Sequence, residues 1–161
     1  HYYRFKNDKI ITDQKVGVFV EFSNNKENNL GMPLPKGIIG VYKYDHDNSL
    51  QFVGENTIDH VPKGEKIRIK IGEAFDIIAS RKQTDWLKIT DNVYETAFEI
   101  SIKNHKEEDI IVRVIERLPG DWRILKSSHH FTKIDANTIS TEIPVDRGKE
   151  VKLIYRVSLK F

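Results

Sequence analysis

The chain has 161 residues, 39% hydrophobic and 31% charged, which is enough for one ordinary domain or two small packed modules and too apolar for a disordered protein. Its 26 basic and 24 acidic residues nearly cancel and alternate along the chain, which argues against the clustered basic stripe of a nucleic-acid binder. With no cysteine there is no disulfide, no thiolate nucleophile and no sulfur-ligated metal, and no apolar run approaches the length of a membrane span.

The chain begins at His1 rather than a methionine and reads straight into HYYRF, so a removed signal peptide or preceding domain is expected. The first clear element is KVGVFVEF, where a period of two sets Val16, Val18, Val20 and Phe22 on one face of a strand. After the turn-rich NNKENNLGMPLPKG come strands over 38–44 and 50–58, separated by DHDNS. VPKGE then leads into EKIRIKI, with Ile67, Ile69 and Ile71 opposite Lys66, Arg68 and Lys70. GEAFDIIASRKQ also suits a turn of helix through Phe75, Ile78 and Ala79, but Phe75, Ile77 and Ala79 alternate equally well, and a strand is expected.

In YETAFEISIKN, the positions Tyr94, Thr96, Phe98, Ile100 and Ile102 oppose Glu95, Glu99, Ser101 and Lys103. Shorter strands are expected over 110–118, 122–126 and 138–143. The last segment, EVKLIYRVSLKF, sets Val151, Leu153, Tyr155, Val157, Leu159 and Phe161 on one side. About ten half-solvated strands, with no amphipathic helix, predict an all-β antiparallel β-sandwich. The second half reads as immunoglobulin-like. A boundary near residue 90 divides a β-rich module over 1–90, completed by sequence ahead of it, from a sandwich module over 91–161.

The densest polar stretch is YDHDNSLQFVGENTIDH, residues 44–60. A calcium-binding EF-hand loop starting at Asp45 would place Asp47 and Ser49 correctly, but it needs Gly and Glu where Leu50 and Asn56 stand. DHDNS therefore reads as a hairpin loop. Asp59 and His60 close the following strand. Farther on, the face of Phe75, Ile77 and Ala79 continues into Arg81, Gln83 and Asp85, so either the strand leaves the core at residue 80 or an arginine points inward. An inward arginine requires a carboxylate, for which Asp59, Asp76 and Asp85 are the candidates. Asp59, His60, Arg81, Gln83 and Asp85 form the candidate polar network, expected to be structural rather than catalytic.

Ser127, Ser128, His129 and His130 sit in a solvated loop without the G-x-S-x-G elbow of a serine hydrolase. H-E-x-x-H, P-loop and G-x-G-x-x-G patterns are absent. No catalytic residue, metal or cofactor is expected. Trp86 and Trp122 read as core or edge aromatics, although a sugar platform has the same composition.

The ordered motifs LGMPLPKG, SLQFVGE, IDHVPKGE, AFDI and RKQTDW, then GDWRILKSSH and a closing YRVSLKF, resemble a bacterial family catalogued as domain of unknown function four-one-three-nine. The resemblance covers nearly all of residues 16–161. It implies a longer protein with additional amino-terminal sequence, an export signal and a place in the periplasm or cell envelope. More distant relatives are named as mucoidy inhibitors. The family has no established catalytic residues, so none carries over to this chain. Its members tend to show an Asp-Gly pair at the hairpin where this chain has Asp47, Asn48 and Ser49.

The expected function is that of an exported, non-catalytic structural or protein-interaction module. Its partners would be other envelope proteins or the rest of its own longer chain, with no nucleic acid and no membrane span. The alternatives are an envelope hydrolase using Asp59, His60, Arg81 and Asp85, or a carbohydrate-binding module.

Overall fold

A computed structural model of the chain describes residues 2–7, 13–45 and 47–161. Among these the fold is all-β, with a single 3-10 turn at Lys26–Asn28. The strands are β1 (Tyr2–Asn7), β2 (Asp13–Ser23), β3 (Gly37–Tyr44), β4 (Leu50–Ile58), β5 (Lys66–Thr90), β6 (Val93–Asn104), β7 (Ile110–Arg117), β8 (Asp121–Ser127), β9 (Thr132–Asp135), β10 (Thr138–Val145) and β11 (Glu150–Lys160). Strands β1 and β9 are additions to the set expected from the alternation. Nine strands hydrogen-bond in the order β8-β11-β6-β5-β2-β1-β7-β10-β9, and β3 pairs with β4. Strand β1 runs parallel to β7, while β10–β7, β10–β9, β11–β6, β11–β8, β5–β6 and β3–β4 pair antiparallel.

Two compact units can be described separately. One is essentially Gly17–Glu73; the other comprises the described residues of Tyr3–Val16 together with Ala74–Phe161. Strands β2 and β5 contribute to both. Residue 90 is the last of β5, and the chain turns there into the β5–β6 hairpin.

In the first unit Ile67 and Ile69 are buried, and on the wet face of the same strand Arg68 pairs with Glu21 at 2.9 Å. The β3–β4 hairpin approaches β5 at Gly54, where an added Cβ would sit 2.6 Å from the Ile71 carbonyl oxygen. The loops are gathered by Asn24, which is fully buried. Its Nδ2 donates to the carbonyls of Met32 (2.7 Å) and Pro62 (3.0 Å), and its Oδ1 accepts the Gly31 N–H (3.0 Å). Residues 18–23 of β2 are half-buried at both parities, so the expected one-sided face is not seen there.

In the second unit the sheet curls so that β10 lies against β6 and β11, and the facing layers enclose the core. Ile100, Ile102, Val112, Val114, Ile143, Leu153 and Val157 are fully buried, as the period of two in β6, β7, β10 and β11 requires. Asn104 repeats the device of Asn24: its Nδ2 donates to the carbonyls of Glu108, Val145 and Asp146. Each asparagine satisfies several backbone acceptors that two converging loops would otherwise leave without donors.

Strand β5 corrects one expectation. Phe75 does not share a buried face with Ile77 and Ala79; it is 88% exposed. The inward positions pass from Ile67, Ile69 and Ile71 to Ala74, then return to odd parity at Ile77. Around Gly72 a strict alternation therefore breaks, and a shift of one residue moves a side chain to the opposite face.

The asparagine staples lead to a stability prediction. Asn24→Ala loses the donor and should destabilise by about 1–3 kcal/mol, while Asn24→Asp should cost more, because a carboxylate would face backbone carbonyls. Urea unfolding of the two variants checks the order.

Candidate functional site

Three side chains converge in the core of the second unit. Alternation in β7 places Ile110, Val112, Val114 and then Glu116 inward, and alternation in β11 places Tyr155 between Leu153 and Val157. Arg81 enters from β5, in step with Ile77 and Ala79. Arg81 Nε donates to Glu116 Oε2 at 3.0 Å, and Nη2 lies 2.9 Å from the same oxygen in the ion pair. The Tyr155 hydroxyl donates to the same oxygen at 2.6 Å and accepts Arg81 Nη2 at 3.3 Å. The guanidinium carbon lies 3.6 Å over the Phe98 ring, whose quadrupole favours a cation there. Phe98 and Phe131 in turn pack on Tyr155.

The Glu116 side chain is 0% exposed and that of Arg81 9%. Both donated hydrogen bonds fall on Oε2, and Oε1 is buried without a partner. Burial holds the Glu116 carboxyl above its ordinary range, against the opposing pull of the Arg81 charge and the Tyr155 and Arg81 hydrogen bonds. Burial and the neighbouring carboxylate raise the Tyr155 phenol well above its usual value, so it stays a neutral donor. The arrangement is a polar cluster that can hold β5, β7 and β11 in register, with the Glu116 carboxyl and Tyr155 phenol buried.

The expected partner of Arg81 is thereby corrected from Asp59, Asp76 or Asp85 to Glu116. Asp76 instead pairs with Lys106 at 2.9 Å, and Asp85 with Arg156. The β5–β6 register shifts between Gln83 and Asp85, which explains why Asp85 lies on the outer face although it shares Arg81's parity. Gln83 Nε2 donates to Thr96 Oγ1 at 2.8 Å, and that hydroxyl donates to the Asp85 carbonyl at 2.9 Å.

Asp59 and His60 belong to the first unit. Asp59 lies 3.8 Å from Lys36 Nζ in an exposed ion pair, and His60 Nδ1 accepts the Lys36 N–H at 3.3 Å. The five sequence candidates thus fall into separate bonded sets. Glu116 is not among the sequence candidates; the signal that points to it is its even parity with Ile110, Val112 and Val114 in IIVRVIERL.

The loop around Ser128 is likewise committed to structure. Ser128 Oγ accepts the Ile154 N–H at 3.0 Å and lies 2.9 Å from His129 Nδ1, while Ser127 Oγ donates to the His129 carbonyl at 2.7 Å. Beside it a hollow of about 380 Å³ opens over Ala97, between Lys126, Ile154 and Arg156. Its serine hydroxyls are already engaged, and it contains no nucleophile–base–acid relay.

The DHDNS loop is a turn as expected: Asn48 adopts a left-handed conformation with φ 62°, and the Ser49 N–H donates to Asp47 Oδ1 at 2.9 Å. His46 lies outside the described residues. Among the described residues no three His, Asp or Glu side chains group to hold a metal ion, and no helix is long and apolar enough to cross a membrane. Trp86 stacks on Tyr94 with ring centroids 5.1 Å apart, and Trp122 Nε1 donates to the Ala136 carbonyl at 2.8 Å.

Two predictions follow from the buried cluster. Arg81→Met strands the carboxylate and should cost about 3–5 kcal/mol at neutral pH, whereas Arg81→Met with Glu116→Leu should recover most of the loss. Because the folded-state Glu116 carboxyl binds its proton more tightly than the unfolded one, its contribution to stability is greatest below the unfolded value. That contribution is lost as pH rises through the folded value. The Arg81→Met variant should therefore gain stability relative to wild type on acidification, as read by urea midpoints across pH 4–8; an unchanged difference would refute this.

Compared with protein-family models, curated protein sequences and solved structures, the chain has no match.

Proposed function

We propose that this chain is a non-catalytic β-sandwich module of the cell envelope that works by holding a partner protein. The observation that carries the reading is the β3–β4 hairpin, which is apolar on both faces. Ile39, Val41 and Ile58 are half-buried on one face, while Ile38, Tyr42, Tyr44, Leu50 and Phe52 are each more than half exposed on the other. A sheet that needs only one covering layer alternates apolar with polar residues; a strand pair apolar on both sides suits a second layer.

Two further observations support the absence of catalysis. The strongest polar cluster lies in the core, and the candidate acid, base and nucleophile residues are tied into separate structural contacts. The envelope location rests on the family resemblance of the sequence motifs. The immunoglobulin-like reading of the second unit rests on the alternation and turn spacing of its sequence.

A photo-crosslinking side chain at Tyr44, introduced in cells of the source organism, should give a discrete adduct in the envelope fraction. The same group at exposed Lys82 should give none. A lack of adduct at Tyr44, or the same adducts at both positions, would discard the interaction reading; recovery of the protein with cytosolic markers would discard the location.

A further inference from the structure

Resting on that interaction reading, the geometry points to a specific partner chemistry for the β3–β4 face: an apolar protein segment flanked by lysine or arginine. Cross-strand register places Tyr42 opposite Phe52 and Tyr44 opposite Leu50, so these four side chains project from one side of the hairpin. The Tyr42 and Phe52 rings meet edge to face with centroids 5.4 Å apart. Ile38 lies farther along the same side and is 70% exposed, while Tyr44 is 69% exposed. Gly40 leaves room for the Tyr42 ring, which a Cβ there would approach to 3.2 Å. Exposed aromatics packed on one another are the kind of surface on which an interface concentrates its binding energy.

The charge pattern selects the occupant. Glu55 stands opposite Gly40 on this side, and Asp47 sits at the hairpin tip, where hydrogen bonds from Ser49 hold its carboxyl below the usual range. The one cation of the hairpin strands, Lys43, pairs with Gln51 on the opposite face. The side of the hairpin that bears the apolar patch therefore carries Glu55, between Phe52 and Thr57 along β4, and no lysine or arginine of the two strands. A second copy of the face would bring carboxylates against carboxylates, and an anionic lipid surface would repel them in the same way. A partner carrying lysine or arginine beside its apolar residues would match both the aromatics and the carboxylates of this face.

The test uses the full chain and two short synthetic peptides, one alternating lysine with leucine and one alternating glutamate with leucine. The lysine–leucine peptide should bind and shift the amide resonances of β3 and β4, and its glutamate counterpart should not. Tyr44→Ser with Phe52→Ser should weaken binding about ten-fold or more, as expected when central aromatics are removed. Asp47→Asn with Glu55→Gln should weaken it several-fold and reduce its salt dependence. All four positions are exposed, so an unchanged thermal midpoint would show that the fold is retained.

Equal binding of both peptides, or shifts centred away from the hairpin, would overturn the proposal. Dimerisation abolished by Tyr44→Ser, or attachment to phosphatidylglycerol vesicles through the same face, would also overturn it while leaving an interaction surface in place. No peptide binding together with no crosslink from Tyr44 would remove both this inference and the reading beneath it. No peptide binding with a robust Tyr44 crosslink would remove the inference alone.

Discussion

A guanidinium carried into an apolar core must have its counter-charge beside it, and much of the second unit is arranged to meet that requirement. Arg81 rises from β5, Glu116 descends from β7 and Tyr155 crosses from β11, so one hydrogen-bonded cluster ties three separate strands. Burial of the ions costs more than their pairing alone returns unless the geometry is good and further donors help. The phenol and the Phe98 ring supply that help. What the cluster adds is specificity of register. A slip of one residue in β5, β7 or β11 would turn a member outward and leave the others charged in a dry interior.

The same accounting separates what was legible in the sequence from what was not. Alternation in EVKLIYRVSLKF and YETAFEISIKN translates directly into buried Leu153, Tyr155, Val157, Ile100 and Ile102, because period two is a local property of the extended backbone. The inward arginine could be anticipated for the same reason. Its partner could not, since the choice among four carboxylates depends on which strands face one another, a long-range outcome. Phe75 and Asp85 failed for a third reason. Irregularities around Gly72 and between Gln83 and Asp85 reverse parity within one unbroken strand, and no residue pattern marks them clearly. The candidate site was therefore only half readable: Arg81 and Tyr155 lay on recognised faces, whereas Glu116 was hidden in an apolar-looking run.

Elsewhere the fold relies on small, exact fits. Asn24 and Asn104 each serve several backbone carbonyls from one buried amide, and Gly54 allows β4 to approach the Ile71 carbonyl. These residues resist substitution because of backbone chemistry rather than any contact with a ligand. By contrast, the outer side of the β3–β4 hairpin bears large aromatics that the fold itself leaves uncovered. The contrast between tightly satisfied loops and an unsatisfied apolar face distinguishes what maintains this protein from what it can offer to another molecule.

Strands β2 and β5 each belong to both compact units, and that sharing governs how the chain can be divided. The first unit is inserted between the two segments of the second, so a cut where either strand passes from one unit to the other separates Tyr3–Val16 from Ala74–Phe161 and divides the second unit. Recombination at a single crossing point would therefore split the second hydrophobic core, whereas exchange of the inserted segment as a block would keep both parts of that core on one chain.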